Sequence, residues 1–136
     1  MTDQTTTKKP KREKLKAELR KQARQDGPAT ASMQGVRISA RKARVLADAV
    51  RGMPVEQALT LLAFQQRAGA PLLKKVLDSA VANADQKKMD LDALVVADVQ
   101  VDKAGMLKRF LPRAHGRATP FKKQLSHIPV KLAPAS

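Results

Sequence analysis

Apolar residues recur along the middle of this chain with two different periods. Ala43, Leu46, Ala47 and Val50 fall at i, i+3, i+4 and i+7, the stripe of a helix that begins near Ala40 and is closed by Gly52. Arg41, Arg44, Asp48 and Arg51 lie on its other side. Pro54 stands where a second helix starts, at N1, and Val55, Ala58, Leu59 and Leu62 form its buried stripe as far as about Gln66. Gly69-Ala70-Pro71 breaks the chain and opens a third helix with a stripe of Leu73, Val76, Leu77, Ala80 and Ala84. Small residues at Ala80, Ala82 and Ala84 predict a close approach to a neighbour.

The other period is two. Gly35-Val36-Arg37-Ile38-Ser39 reads as a short strand ending on a helix N-cap. Val95, Ala97, Val99 and Val101 alternate with Val96, Asp98, Gln100 and Asp102, a half-buried strand. Ile128, Val130 and Leu132 alternate with His127, Pro129 and Lys131 in the same way. Pro129 has no N–H to donate, so it is expected to face outward or lie at an edge. The predicted fold class is α+β: three helices packed on a small three-stranded antiparallel sheet with a long protruding β-hairpin at about 98–130. Eight to ten residues of projecting strand, at ~3.3 Å each, reach roughly 30 Å.

Residues 32–136 read as one domain that carries the hairpin arm. Residues 1–31 read as a basic extension, expected to be flexible unless bound. Leu15 and Leu19 allow a short helix from Lys11 to Gln25, but it has little to bury.

Composition sharpens this picture. Of 136 residues 43% are apolar and 2% aromatic, so the core must be aliphatic; Phe64, Phe110 and Phe121 are the three aromatics. The formal charge is +15, and it is unevenly placed. Residues 103–136 hold eight basic side chains and no acid, whereas 33–102 hold ten basic and eight acidic ones. Purging one sign from residues 103–136 indicates a polyanion lying against that segment. An isolated two-stranded hairpin is marginal in water, and its cations repel each other until phosphate neutralises them.

Several function classes fall away. Three scattered Phe residues cannot build a base-stacking sheet or barrel surface. Without cysteine there is no disulfide framework, no Cys-ligated zinc and no Cys nucleophile, which fits a reducing compartment. His115 and His127 are too few and too far apart for a metal site. Asp98 and Asp102 have no His, Ser or metal-ligand partner. We therefore expect no enzyme, no cofactor and no metal. No apolar run approaches ~18 residues, and the polar N-terminus does not read as a signal peptide, so a cytoplasmic location is expected. Shape and phosphate recognition of folded RNA remains, beside groove binding of DNA by a nucleoid-type protein. Attachment to an anionic membrane lacks an amphipathic helix with bulky apolar residues.

Lys108 with Arg113-Ala114-His115-Gly116-Arg117, then His127-Ile128-Pro129-Val130-Lys131-Leu132, resemble the signature of the family of large-ribosomal-subunit protein twenty-two. Ile38-Ser39-Ala40-Arg41-Lys42-Ala43-Arg44 and Ala80-Val81-Ala82-Asn83-Ala84 also resemble it. The likeness runs from about Met33 to Leu132 in the right order. It implies a structural protein of the large subunit, with its body near the tunnel mouth and its hairpin threaded through ribosomal RNA. The implied partners are large-subunit ribosomal RNA, neighbouring ribosomal proteins and the nascent peptide, with macrolide antibiotics near the tip, and a role in subunit assembly.

The RNA-binding residues expected on these grounds are Arg37, Arg41, Lys42, Arg44, Lys103, Lys108, Arg109, Arg113, His115, Arg117, Lys122, Lys123 and His127. The implied tunnel tip comprises Leu107, Lys108, Arg109, Phe110, Leu111, Pro112, Arg113, Ala114, His115 and Gly116. Gly116 is expected to turn the chain with positive φ or to let it approach RNA closely. Three departures from the family stand out. The leader lies outside its core, Asp102-Lys103-Ala104-Gly105 lacks the Gly-Pro often found before the tip, and Pro129 replaces the usual Thr or Val.

Overall fold

The computed structural model describes residues 11–135, and within the first helix the side chains of residues 13–20. The leader residues 1–10 lie outside the described residues. The elements follow in the order α1 (Lys11–Asp26), β1 (Ala29–Val36), α2 (Ala40–Val50), α3 (Val55–Phe64), α4 (Ala70–Gln86), β2 (Leu94–Val99), β3 (Asp102–Pro112) and β4 (Ala118–Pro134).

Every strand pairs with β4, and every pairing is antiparallel. β1 runs along one edge of its inner half, from Ala29 opposite Leu132 to Val36 opposite Ser126. Along the other edge come first β2, with Leu94 opposite Pro134, and then β3, from Asp102 opposite His127 to Pro112 opposite Ala118. β1, β2 and inner β4 are the small three-stranded sheet, while β3 and outer β4 are the arm. Its 11 residues in β3 span about 36 Å at ~3.3 Å each.

α2, α3 and α4 cover one face of the sheet, and the stripes expected from the helical period are buried. Leu77, Val50, Ile128, Val130 and Leu132 are the large residues at its centre. The core is aliphatic throughout, because all three phenylalanines stay outside it, Phe64 being 83% exposed. α1 is a fourth helix, with Leu15 at 58% and Leu19 at 56% exposure. The chain enters the sheet immediately after it. Lys87 Nζ, at the C-cap of α4, donates to the carbonyls of Gly27 and Pro28 at 2.8 and 3.0 Å, and Asn83 Nδ2 of α4 donates to the Thr30 carbonyl at 2.8 Å.

Three local readings are corrected and a fourth is narrowed. The first strand is Ala29–Val36 rather than 35–39, so the sheet starts inside the span read as extension. Positive φ at Gly35 and a register shift between Met33 and Val36 end it in a bulge. In β2 the buried residues are Leu94, Val96 and Val99, not Val95 and Ala97, because a bulge between Val96 and Asp98 reverses the parity. Ala82 is exposed, and only Ala80 and Ala84 meet the sheet side. Pro129 faces away from the core, between buried Ile128 and Val130, as one of its two expected placements had it, but it lies inside the central strand and not at an edge, opposite Ser32 and beside the break between β2 and β3. Its carbonyl accepts from the Gln100 N–H at 3.1 Å, so the missing donor falls where the facing ladder is already interrupted.

None of the buried core residues lies between 102 and 125. Removing residues 105–118 should therefore leave a body that unfolds cooperatively with native helix content. Circular dichroism and denaturant titration of the truncated chain check this, and loss of the cooperative transition would contradict an independent body.

Candidate nucleic-acid interface

Side chains alternate across a strand, so β4 carries its inner pattern out into the arm. Ser126, Ile128, Val130 and Leu132 point into the core. The same parity places Gln124, Lys122 and Pro120 on the continuation of that face, opposite Met106, Lys108 and Phe110. The other face holds Lys123, Phe121 and Thr119, opposite Leu107, Arg109 and Leu111. Lys108 and Lys122 are thus direct cross-strand partners of like charge, an arrangement that destabilises a hairpin on its own. On the second face Lys123 Nζ sits 5.7 Å from the Phe121 ring centroid, a cation–π contact. The apolar residues are exposed with the cations: Phe110 is 70% exposed and Leu111 46%.

The tip is closed by the backbone. Arg113 N–H donates to the Arg117 carbonyl at 2.7 Å, and Arg117 N–H to the Ala114 carbonyl at 3.4 Å. Gly116 has φ +65, as its place in the signature suggested, and His115 also takes positive φ, +58. A register shift between Lys103 and Gly105 puts a bulge at the arm's root, with Gly105 at φ +152. That bulge bends the hairpin where the family's usual Gly-Pro is missing.

Side chains from the body grip the root. Arg44 donates from Nε and Nη2 to the Val101 carbonyl at 3.1 and 2.9 Å. Arg51 Nη2 donates to the Val99 carbonyl at 2.7 Å, and its guanidinium pairs with Asp48 at 2.9 Å and Asp98 at 3.8 Å. Both carbonyls flank the β2–β3 break, where ladder partners are lacking. On the opposite edge the fully buried Ser126 hydroxyl donates to the Ile38 carbonyl at 2.6 Å, and His127 Nδ1 accepts from the Gly35 N–H at 3.2 Å. Arg44 and His127, expected on RNA, thus have structural partners inside the protein. A bond of this kind to a charged donor contributes about 1.5–3 kcal/mol when shielded and less when exposed.

A groove of about 790 Å³ opens beside this root, between the start of α2, the α3–α4 loop and β4. Arg37, Lys42, Arg67, Lys122 and Lys123 line it, and no carboxylate does. Among the described residues the ion pairs are those of Arg51, so these five cations are unneutralised. The thirteen expected RNA-binding residues therefore do not form one site. Arg37, Lys42 and Lys122 meet in the groove, and Lys123 borders it from the next position on β4 with its ammonium over Phe121. Lys103, Lys108 and Arg109 run along β3, and Arg113, His115 and Arg117 sit at or beside the tip turn. Arg41 is exposed on α2 outside the groove. Arg67 was missed: in the sequence it is a lone cation in a short linker, and only the packing of that linker brings it to the others.

An α+β body with a basic hairpin arm, free of acids from Lys103 onward, defines the class. Residues 31–133 match the family model described as ribosomal protein L22p/L17e. A curated relative, the large ribosomal subunit protein uL22 of Desulfosudis oleivorans, is 49% identical over 104 residues, covering 76% of this chain and 91% of the relative. The chain belongs to the ribosomal protein L22p/L17e family. It is accordingly a structural constituent of the large subunit of the cytoplasmic ribosome and not an enzyme. The match begins at residue 31, so α1 lies outside it.

Arg44→Ala should free the Val101 carbonyl, cost about 1 kcal/mol in denaturant unfolding, and speed amide exchange at the arm's root. Arg41→Ala should change neither. Gly116→Val puts a β-branched residue at φ +65, a strain of about 1–2 kcal/mol. Nuclear magnetic resonance shifts should move at residues 113–117 while the body's stay in place.

Proposed function

We propose that this chain binds large-subunit ribosomal RNA through phosphate and shape contacts along its arm, and that residues 107–116 line the wall of the nascent-peptide exit tunnel. The observation that carries the reading is the cross-strand pair of Lys108 and Lys122 on an arm that holds no acid beyond Asp102 at its root. Two ammonium groups held face to face repel in water and attract one phosphate between them. Exposed Leu107, Phe110 and Leu111 beside these cations suit packing within folded RNA or against a passing peptide better than contact with water. With phosphates around it, the arm is ordered by its partner, and its cations bridge RNA segments that would otherwise repel. This is the physical basis of a role in subunit assembly.

The tip turn supports the tunnel assignment. It is short, closed by the bonds of Arg113 and Arg117, and carried at the far end of a strand anchored in the body. In this reading the body meets neighbouring ribosomal proteins, the tip meets the nascent peptide, and macrolide antibiotics bind nearby. Lys103, Lys108, Arg109, Arg113, His115, Arg117, Lys122 and Lys123 supply the arm's RNA contacts, and Arg37, Arg41 and Lys42 those of the body.

Replacing Lys108 and Lys122 together by Ala should lower the slope of log K against log salt for large-subunit RNA by about 1–2, one phosphate or two. The free protein should lose no stability, because the pair is repulsive. Filter binding across a salt series measures the slope. An unchanged slope, or binding resistant to RNase and sensitive to DNase, would overturn the reading.

A further inference from the structure

The groove at the arm's root has a floor as well as cations. Ile38 and Leu46 line it, and Gly69 of the α3–α4 loop lies directly on them. A Cβ at Gly69 would come within 2.6 Å of Ile38 Cδ1 and 2.9 Å of Leu46 Cδ1. Any larger residue would push those two terminal methyls aside, so glycine lets the loop pack directly on them with Arg67 at the groove's rim. The groove's lining includes no aromatic residue on which a base could stack. It has no carboxylate to accept from a base amino group either. Its cations come from three separate parts of the fold: Arg37 just before α2 with Lys42 inside it, Arg67 in the linker, and Lys122 on the arm.

Building on the RNA-binding reading above, we infer that this groove is a second anchorage, distinct from the tip, that takes a sugar–phosphate backbone segment of folded RNA. One backbone lying there neutralises cations of all three parts together. It thereby fixes the arm's root against the helical layer, and the direction of the arm becomes dependent on the RNA bound at its base. Lys122 belongs both to the groove and to the cross-strand pair with Lys108, so the phosphate track runs on from the groove along the arm.

The test uses the full chain and a large-subunit ribosomal RNA transcript in a potassium chloride series. Arg67→Ala and Lys42→Ala change exposed residues without an ion pair among the described residues, so their unfolding midpoints should equal that of the unsubstituted chain. Each should lower the salt slope by about 0.7–0.9, and both together by about twice that. Hydroxyl-radical footprinting should show one backbone segment losing protection in Arg67→Glu, while segments protected by the tip stay protected. Unchanged slopes in both single variants would overturn the groove assignment, as would an unchanged footprint. An acidic segment of a neighbouring protein occupying the groove would give that same unchanged slope on bare RNA. Absence of salt-dependent binding by the unsubstituted chain would instead overturn the parent reading together with this one.

Discussion

One strand of 17 residues belongs to two structures at once, and the rest of the molecule follows from that constraint. The inner half of β4 is the middle of the sheet, with β1 on one side and β2 on the other. Its outer half leaves the body with β3 as its single partner. Because backbone pairing is continuous, the core's packing energy holds the root of an arm that could not stand alone. The alternation along β4 is also continuous, so its buried parity sets which arm side chains share a face.

The junction between the two halves is where polar chemistry concentrates. A bulge in β1, the break between β2 and β3 and a bulge at the root of β3 all fall within one short stretch of β4. Each leaves backbone groups without a regular ladder partner, and buried polar groups need partners. Arg44, Arg51, Ser126 and His127 supply them. Cations near an RNA partner thus divide by task. Some hold the protein's own carbonyls, and others, such as Lys108, Lys122 and Arg67, have no anion among the described residues.

Much of the fold was legible in the periodicities. The stripes of α2 and α4 and the alternation Ile128, Val130, Leu132 are buried as the spacing implied. The helix starts near Ala40, Val55 and Ala70 were marked by Ser39, Pro54 and Gly69, although none of the three makes a side-chain cap. In the strands, a bulge was responsible where the reading of buried parity failed. Val95 and Ala97 fit a perfect alternation, but one extra residue reversed which side faces the helices. The candidate site was legible as a charge distribution and through the signature around Arg113 and Gly116. It was not legible as a groove.

What the sequence determined alone is therefore local or additive: helical stripes, a half-buried closing strand, an aliphatic core, and a final segment emptied of acids after Asp102. These depend on the order and type of neighbouring residues, which one-dimensional spacing records. Tertiary structure alone decided that Arg44 serves the Val101 carbonyl, that Pro129 sits inside the central strand, and that Arg67 joins Arg37, Lys42, Lys122 and Lys123. Each of those outcomes needs segments far apart in the chain to meet at a fixed distance. Register shifts and a glycine-sized gap at Gly69 set that distance, and neither leaves a periodic trace.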